Sequence, residues 1–263
     1  MGNPYQSIER GAPGTIGCRI HYFEELTSTQ ERAAELAEQG AGQGTVVIAE
    51  TQSAGHGRLN RQWYSPPRLN LYATIILRPE IAASAVACLS LMAGVAAAEA
   101  IETVAPGIVA LKWPNDVWLK GKKTGGILAK AVSDGNQVSY VLLGIGLNLN
   151  LRPGDVPDDL RRIATSVRIE TGAVCDRIQV ASALFYRLDT RYTEMQERGF
   201  AAIRPLWERY SALAGKEVTV SDGEMRRSGV VTGIDDEGAL ILETGAGTVR
   251  IIAGDVSVVG AYG

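Results

Sequence analysis

Cysteine and histidine are scarce: the 263 residues hold three of the first and two of the second. Cys18, Cys88 and Cys175 stand far apart, are odd in number and form no C-x-x-C pair. That argues against a disulfide framework and against a structural zinc site. With His21 and His56 as the only imidazoles, the chain offers no Ser-His-Asp arrangement for nucleophilic catalysis. Positive charge is not in excess either. The 26 Lys and Arg against 29 Asp and Glu give a net charge of -3, which argues against DNA as a dominant partner but leaves room for one local cationic site. No basic segment followed by an apolar run opens the chain, so a secretory signal is not expected and the cytoplasm is the expected location. Long hydrophobic runs are nearly absent. The one uncharged stretch, Ile81 to Ala98, is rich in alanine, contains Ser84 and Ser90 and runs into Glu99 and Glu102, so it reads as a buried helix and no membrane is implied.

What is present describes an ordinary globular protein, with 46% hydrophobic and 21% charged residues. Residues 1–15, with Gly2, Pro4, Gly11, Pro13 and Gly14, read as a flexible arm. Residues 16–212 read as the main domain. A helix begins at Ser28-Thr29 with Glu31 in a capping-box pattern and ends at Gly40. Strands are expected over Thr45–Ala49, Leu69–Leu77, Gly126–Val132 and Val138–Leu151, and on both sides of the Pro114-Asn115-Asp116 turn. Ser133-Asp134-Gly135-Asn136 is a hairpin signal. Strands joined by such short turns imply an α+β fold with a mixed, largely antiparallel sheet and helices on one face. Residues 177–214 are helical in pattern, broken near Gly199 and Pro205. Residues 213–263 alternate short apolar runs with glycine turns, the pattern of a small β-barrel.

Three constellations could carry chemistry. Gly55-His56-Gly57-Arg58-Leu59-Asn60-Arg61-Gln62-Trp63 combines permissive glycines, two guanidiniums and an indole. Glycines let amides approach a ligand and arginine matches phosphate or carboxylate; the alternative is a solvated loop anchored by its tryptophan. It fits neither established phosphate-loop fingerprint. Lys112-Trp113-Pro114-Asn115-Asp116, followed by Lys122-Lys123-Thr124-Gly125-Gly126, sets basic clusters around one acid, or is a turn with solvated lysines. In Gly144-Ile145-Gly146-Leu147-Asn148-Leu149-Asn150, alternation puts the glycines and asparagines on one face. That face leaves room for a ligand or for a close helix–sheet contact.

Together, in this order and over residues 20–258, these segments resemble biotin protein ligases. That family's loop usually reads G-R-G-R-x-x-R-x-W; K-W-P-N-D, K-x-G-G and G-I-G-x-N-x-N are intact here, and Ser28-Thr29-Gln30 matches its S-T-N or S-T-Q element. The resemblance implies a catalytic domain like that of class II aminoacyl-tRNA synthetases with a C-terminal Src-homology-3-like barrel. It implies activation of biotin by ATP, with Mg²⁺, to biotinyl-5'-AMP, and transfer to a lysine of a biotin carboxyl carrier protein. By the same resemblance Ser28, Thr29, Gln30, Gln52, His56, Gly57, Arg58, Lys123, Gly125 and Gly126 line the biotin pocket. Arg58 and Arg61 hold the phosphate, and Lys123 holds the biotin carboxylate and later the acyl-phosphate oxygens. Trp63 stacks on adenine; Lys112, Asn115 and Asn148 adjoin the nucleotide; Asp116 positions the acceptor lysine. No protein ligand for a metal is implied, and a homodimer is left open.

One departure stands out. His56 occupies the position where the family commonly has arginine, which removes one loop cation when the imidazole is neutral. Residues 54–62 are expected to order only over bound ligand. Some relatives carry an N-terminal DNA-binding domain; the first motif here arrives by Ser28, so that reading is set aside. A lipoate-type ligase or acyltransferase and a non-catalytic biotin-binding protein are the alternatives.

Overall fold

In the computed structural model, which describes residues 2–10, 12, 14–134, 137–222 and 225–259, the chain folds around two sheets. The first has seven strands: β1 (Arg19–Leu26), β2 (Thr45–Gln52), β3 (Leu71–Leu77), β4 (Val109–Lys112), β5 (Asp116–Leu119), β6 (Lys122–Asp134) and β7 (Gln137–Leu147). Their spatial order is β1-β2-β3-β7-β6-β5-β4. Only β1 and β2 run parallel; the other pairs are antiparallel, as the short turns imply. Residues 135 and 136 of the hairpin signal lie outside the described residues.

Every side chain of β3 is buried, so both faces of the sheet centre need a cover. The alanine-rich segment forms α2 (Val86–Glu102), and α4 (Arg177–Arg198) packs on it. Together they cover Val46, Ile48, Ile75, Leu77, Leu143 and Ile145. By length and composition Ala83–Glu102 could cross a membrane, yet 67% of its apolar window is buried in the protein, with Glu99 held by Arg191 of α4. Small side chains let this helix lie close to the sheet. The expectation that helices share one face is corrected. On the opposite face α1 (Thr29–Glu38) buries Ala33, Leu36 and Ala37 against Val47, Ile76 and Leu142. Alternation along β2, β3 and β7 feeds both layers. Two short helices, α3 (Val167–Thr171) and α5 (Arg204–Arg209), complete the set.

Among the described residues of the N-terminal segment, Tyr5 and Arg10 tie the chain to the core. Tyr5 is 1% exposed, Arg10 pairs with Asp189 of α4, and Asp189 also accepts from the Ile16 amide. A buried aromatic ring outweighs the glycine and proline around it.

The second sheet is antiparallel: β8 (Glu217–Asp222), β9 (Met225–Ile234), β10 (Leu240–Thr244), β11 (Gly247–Ile251) and β12 (Asp255–Val258), in the order β11-β10-β9-β8-β12. It is fastened to the first beside the β4–β5 turn. Trp113, 2% exposed, donates its indole N–H to the Gly238 carbonyl at 2.9 Å. The return of β12 to β8 carries Asp255 toward the residues that follow β2.

Candidate active site

The N-terminus of α1 and the end of β2 form one wall of a cleft. Ser28 caps α1, its Oγ accepting from the Gln30 amide at 3.2 Å. Glu31 does not complete the box; its Oε1 lies 3.1 Å from His56 Nε2. Gln52 Oε1 accepts from the Thr29 amide at 2.9 Å and the Thr29 hydroxyl at 3.1 Å, while its Nε2 donates to Ser65 Oγ. Thr74 Oγ1 donates to Thr29 Oγ1 at 2.9 Å and Gln30 Nε2 to the Leu128 carbonyl at 2.8 Å. These polar groups are mutually fixed, and Gln52 spends its amide on holding Thr29.

The glycine–arginine loop leaves β2 through amides of Ser53 and Ala54 bonded to Leu26 and Thr27 carbonyls. It folds back on itself through Gly57 N–H to Arg61 O and Trp63 N–H to Gly55 O. Leu59 and Asn60 both take left-handed backbone, φ 54° and 58°. Asparagine tolerates that region; leucine rarely does, and this one leaves its side chain 68% exposed. The indole of Trp63 lies in a slot made by missing side chains: a Cβ on Gly146 would fall 2.6 Å from its ring and one on Gly126 3.0 Å. Gly144 makes the same room for Gln30, at 2.7 Å. The glycine face of β7 therefore serves close packing, by the very residues that border the cleft.

The β4–β5 turn contains a cis Trp113–Pro114 bond and sets three charges together. Lys123 Nζ lies 2.6 Å from Asp116 Oδ1. The Lys112 ammonium sits over the Trp118 ring and that of Lys123 over Trp63, at 4.9 and 5.4 Å. Burial lowers the Lys112 pKa, with the Lys123 and Arg61 charges adding to it and Asp116 and Asp255 opposing. Asn115 Nδ2 donates to the Ile127 carbonyl, which leaves Oδ1 to receive Arg58 Nη1 at 3.2 Å. Arg61 is ion-paired with Asp255 of the second sheet.

The cleft between these walls measures about 480 Å³, within the usual range for a small-molecule site. Ser28, Thr29, Gln30, Gln52, His56, Gly57, Arg58, Arg61, Trp63, Lys112, Asn115, Asp116, Lys123, Gly126 and Asn148 all line it. Gly125 does not. A Cβ there would meet Leu147 at 2.7 Å and Val117 at 3.2 Å, because adjacent strand residues face opposite sides. Sequence reasoning missed an apolar wall of Val156, Pro157, Leu160, Ile163 and Ala164, held to Lys123 by hydrogen bonds from its main-chain N–H to Ile163 O and from Thr165 N–H to Lys123 O. It also missed Asp255 to Ser257 from β12. Among the described residues no three His, Cys, Asp or Glu side chains are grouped to hold a metal ion, and both carboxylates at the cleft, Asp116 and Asp255, are already paired with cations. The donor set does not fit a cation held by protein groups alone.

Residues 22–148 match the biotin/lipoate A/B protein ligase family and residues 214–259 the biotin protein ligase C terminal domain. The bifunctional ligase/repressor BirA of Bacillus subtilis is 38% identical over 241 residues, covering 92% of this chain and 74% of that protein. The biotin–[acetyl-CoA-carboxylase] ligase of Paracoccus denitrificans is 35% identical over 238 residues, 87% of this chain and 96% of that one. A solved structure of biotin protein ligase from Aquifex aeolicus, in complex with biotin and ATP, shares 30% identity and a TM-score of 0.80, covering 91% of this chain and 98% of that one. On its sequence, its two sheets and its cleft, the chain belongs to the biotin protein ligase family.

Proposed function

We propose that this protein uses ATP to activate biotin as biotinyl-5'-AMP and then transfers the biotinyl group to one lysine of a biotin carboxyl carrier protein or domain. The observation that carries the reading is the convergence of Arg58, Lys112 and Lys123 on a single cleft whose far wall is the fixed polar group of Ser28, Thr29 and Gln30. A ureido ring needs oriented donors and acceptors; a carboxylate approaching a polyphosphate needs fixed positive charge.

In the first step a biotin carboxylate oxygen attacks the α-phosphorus of ATP and pyrophosphate leaves with the electrons of the broken P–O bond. Both reactants are anions, so electrostatic repulsion is the barrier, and preorganised cations lower it without a base. On this reading Lys123 holds the carboxylate and Arg58 and Arg61 the phosphates; the hydrogen bond from Arg58 to Asn115 supports the role of Arg58. In the second step a neutral lysine amine of the carrier attacks the anhydride carbonyl, AMP leaves, and the amine gives up a proton. On this reading Asp116, a carboxylate lining the cleft, orients that amine or accepts the proton. The loop over residues 54–62 shields the anhydride from water. A Mg²⁺ accompanying ATP enters with that substrate, and no step here runs through it.

The match to the biotin-specific C-terminal domain weighs against a lipoate-type ligase. Lys123 and Asp116 in contact at the cleft weigh against a protein that only binds biotin. The cytoplasm, where ATP and carboxylase carriers meet, is the compartment we propose, and the reading needs no second copy of the chain. Incubation with ATP, an apo carrier domain and either biotin or lipoate, followed by intact-mass measurement, tests it. One biotinyl adduct per carrier, dependent on ATP, is expected; a lipoyl adduct, or none with either acid, would overturn the reading.

A further inference from the structure

Asn70, just before β3, is fully buried and is not among the residues lining the cleft, yet hydrogen-bond logic makes it decide how a cleft residue is presented. Its Oδ1 receives the main-chain N–H of Leu149 at 2.9 Å. A backbone N–H only donates, so the oxygen must face it and the Asn70 amide nitrogen must face the other way. That nitrogen donates to Tyr72 Oη at 2.9 Å and to Asn148 Oδ1 at 3.4 Å. Tyr72 gives its own proton to the Pro66 carbonyl, which confirms its acceptor role toward Asn70. Asn148 is fixed from its other side as well: its Nδ2 donates to the Thr165 carbonyl at 3.1 Å. The Leu149 N–H thus sets the Asn70 amide, and the Asn70 amide together with the Thr165 carbonyl sets that of Asn148. Each Asn70 amide proton is used, whereas Asn148 keeps one N–H and one oxygen lone pair for the cleft it lines.

Asn70 is itself held. Its carbonyl accepts from Arg177 Nη1 at 3.1 Å, and Arg177, at the start of α4, forks onto Glu50 at 2.8 and 3.3 Å. Glu50 is 3% exposed and also receives the Tyr22 hydroxyl. A buried bidentate pair of this kind fixes geometry more firmly than a surface bridge.

We propose that Asn70 is a positioning residue for the nucleotide end of the cleft, acting through Asn148 by setting which amide atoms face the bound base. The proposal rests on the reading that Asn148 adjoins the nucleotide. Asn70→Asp keeps the acceptor toward Leu149 and lets the Tyr72 hydroxyl turn to donate, but sets one acceptor against another at Asn148 Oδ1.

Biotin-dependent pyrophosphate exchange tests it. In Asn70→Asp the KM for ATP should rise at least about fivefold while the KM for biotin stays within about twofold. In an Asn148→Ala background the same change should add nothing further, because the group it positions is gone. An unchanged KM for ATP, parallel rises for both substrates, or additive effects would overturn the proposal. Should Asn70→Asp not fold, side-chain amide NMR of the unaltered chain answers the question. Both Asn70 amide protons should exchange slowly and stay in place on adding ATP, while an Asn148 amide proton shifts. Fast exchange at Asn70, or no response at Asn148, would overturn it. Absence of exchange activity in the unaltered chain would instead count against the proposed function, and the spectrum without ATP would still read the fixation of Asn70.

Discussion

Lys123 and Asp116 face each other from neighbouring strands, the ammonium 2.6 Å from the carboxylate, and both border the same cleft. The pair joins a cation suited to the first half-reaction with an acid suited to the second. It also keeps Lys112 and Lys123 from standing as two uncompensated charges beside each other. Separating the half-reactions therefore separates the residues. Asp116→Asn should slow transfer from preformed biotinyl-5'-AMP to the carrier by about 100-fold, with a smaller loss in pyrophosphate exchange. Equal losses in both would remove the assigned role.

Gly146 is where the loop's tryptophan meets the sheet. Gly146→Ala puts a methyl 2.6 Å from the Trp63 ring. Overpacking of this sort costs about 1–3 kcal/mol, and relief requires the indole to lift from its slot. The variant should unfold at lower temperature, change its tryptophan fluorescence and raise the KM for ATP. Thermal unfolding and exchange kinetics read these directly.

His56 gives the loop a contact with α1 through Glu31 rather than a permanent charge. His56→Arg should add a loop cation and slow escape of the adenylate several-fold, since an arginine–phosphate bond is charge-assisted. Stopped-flow release of biotinyl-5'-AMP provides the comparison. Release that is equally fast, or faster, in the arginine variant would dispose of the idea.

Lys112 is charged against the tendency of its burial. Its folded pKa lies below the ordinary 10.5, so between the two values the unfolded chain binds more protons and stability rises with pH. Lys112→Met should therefore raise the melting temperature by about 2 °C at pH 7, with the advantage shrinking as pH climbs toward 10. Nucleotide affinity should fall in the same variant. Calorimetry across pH, paired with ATP titration, measures both.

Much of the site was legible because its chemistry is local in the chain. Ser28 to Gln30, the 55–63 loop, Lys112 to Asp116 and Lys123 are short runs whose residue types announce themselves, and the structure gathers them at one cleft. The apolar wall of Val156, Leu160 and Ile163 was not legible, since their i, i+4, i+7 spacing points to a short amphipathic helix, whereas the segment folds as turns. Asp255 lies far away in sequence and reaches the loop only because β12 pairs with β8 and Trp113 docks the second sheet. Gly125 was placed with Gly126, although strand alternation alone separates them. The fold was read well where turns are short. The placement of α1 on its own face was missed, although the nearly unbroken apolar run of β3 marks a strand buried on both sides.

The central claim is that fixed cations let two anions react, and Lys123 is the most direct place to ask. Isotopic pyrophosphate exchange in the presence of biotin should fall at least about 100-fold in Lys123→Ala, the loss of about 3 kcal/mol expected for one preorganised electrostatic donor, with the fold intact by circular dichroism. Exchange at the unaltered chain's rate would contradict the account.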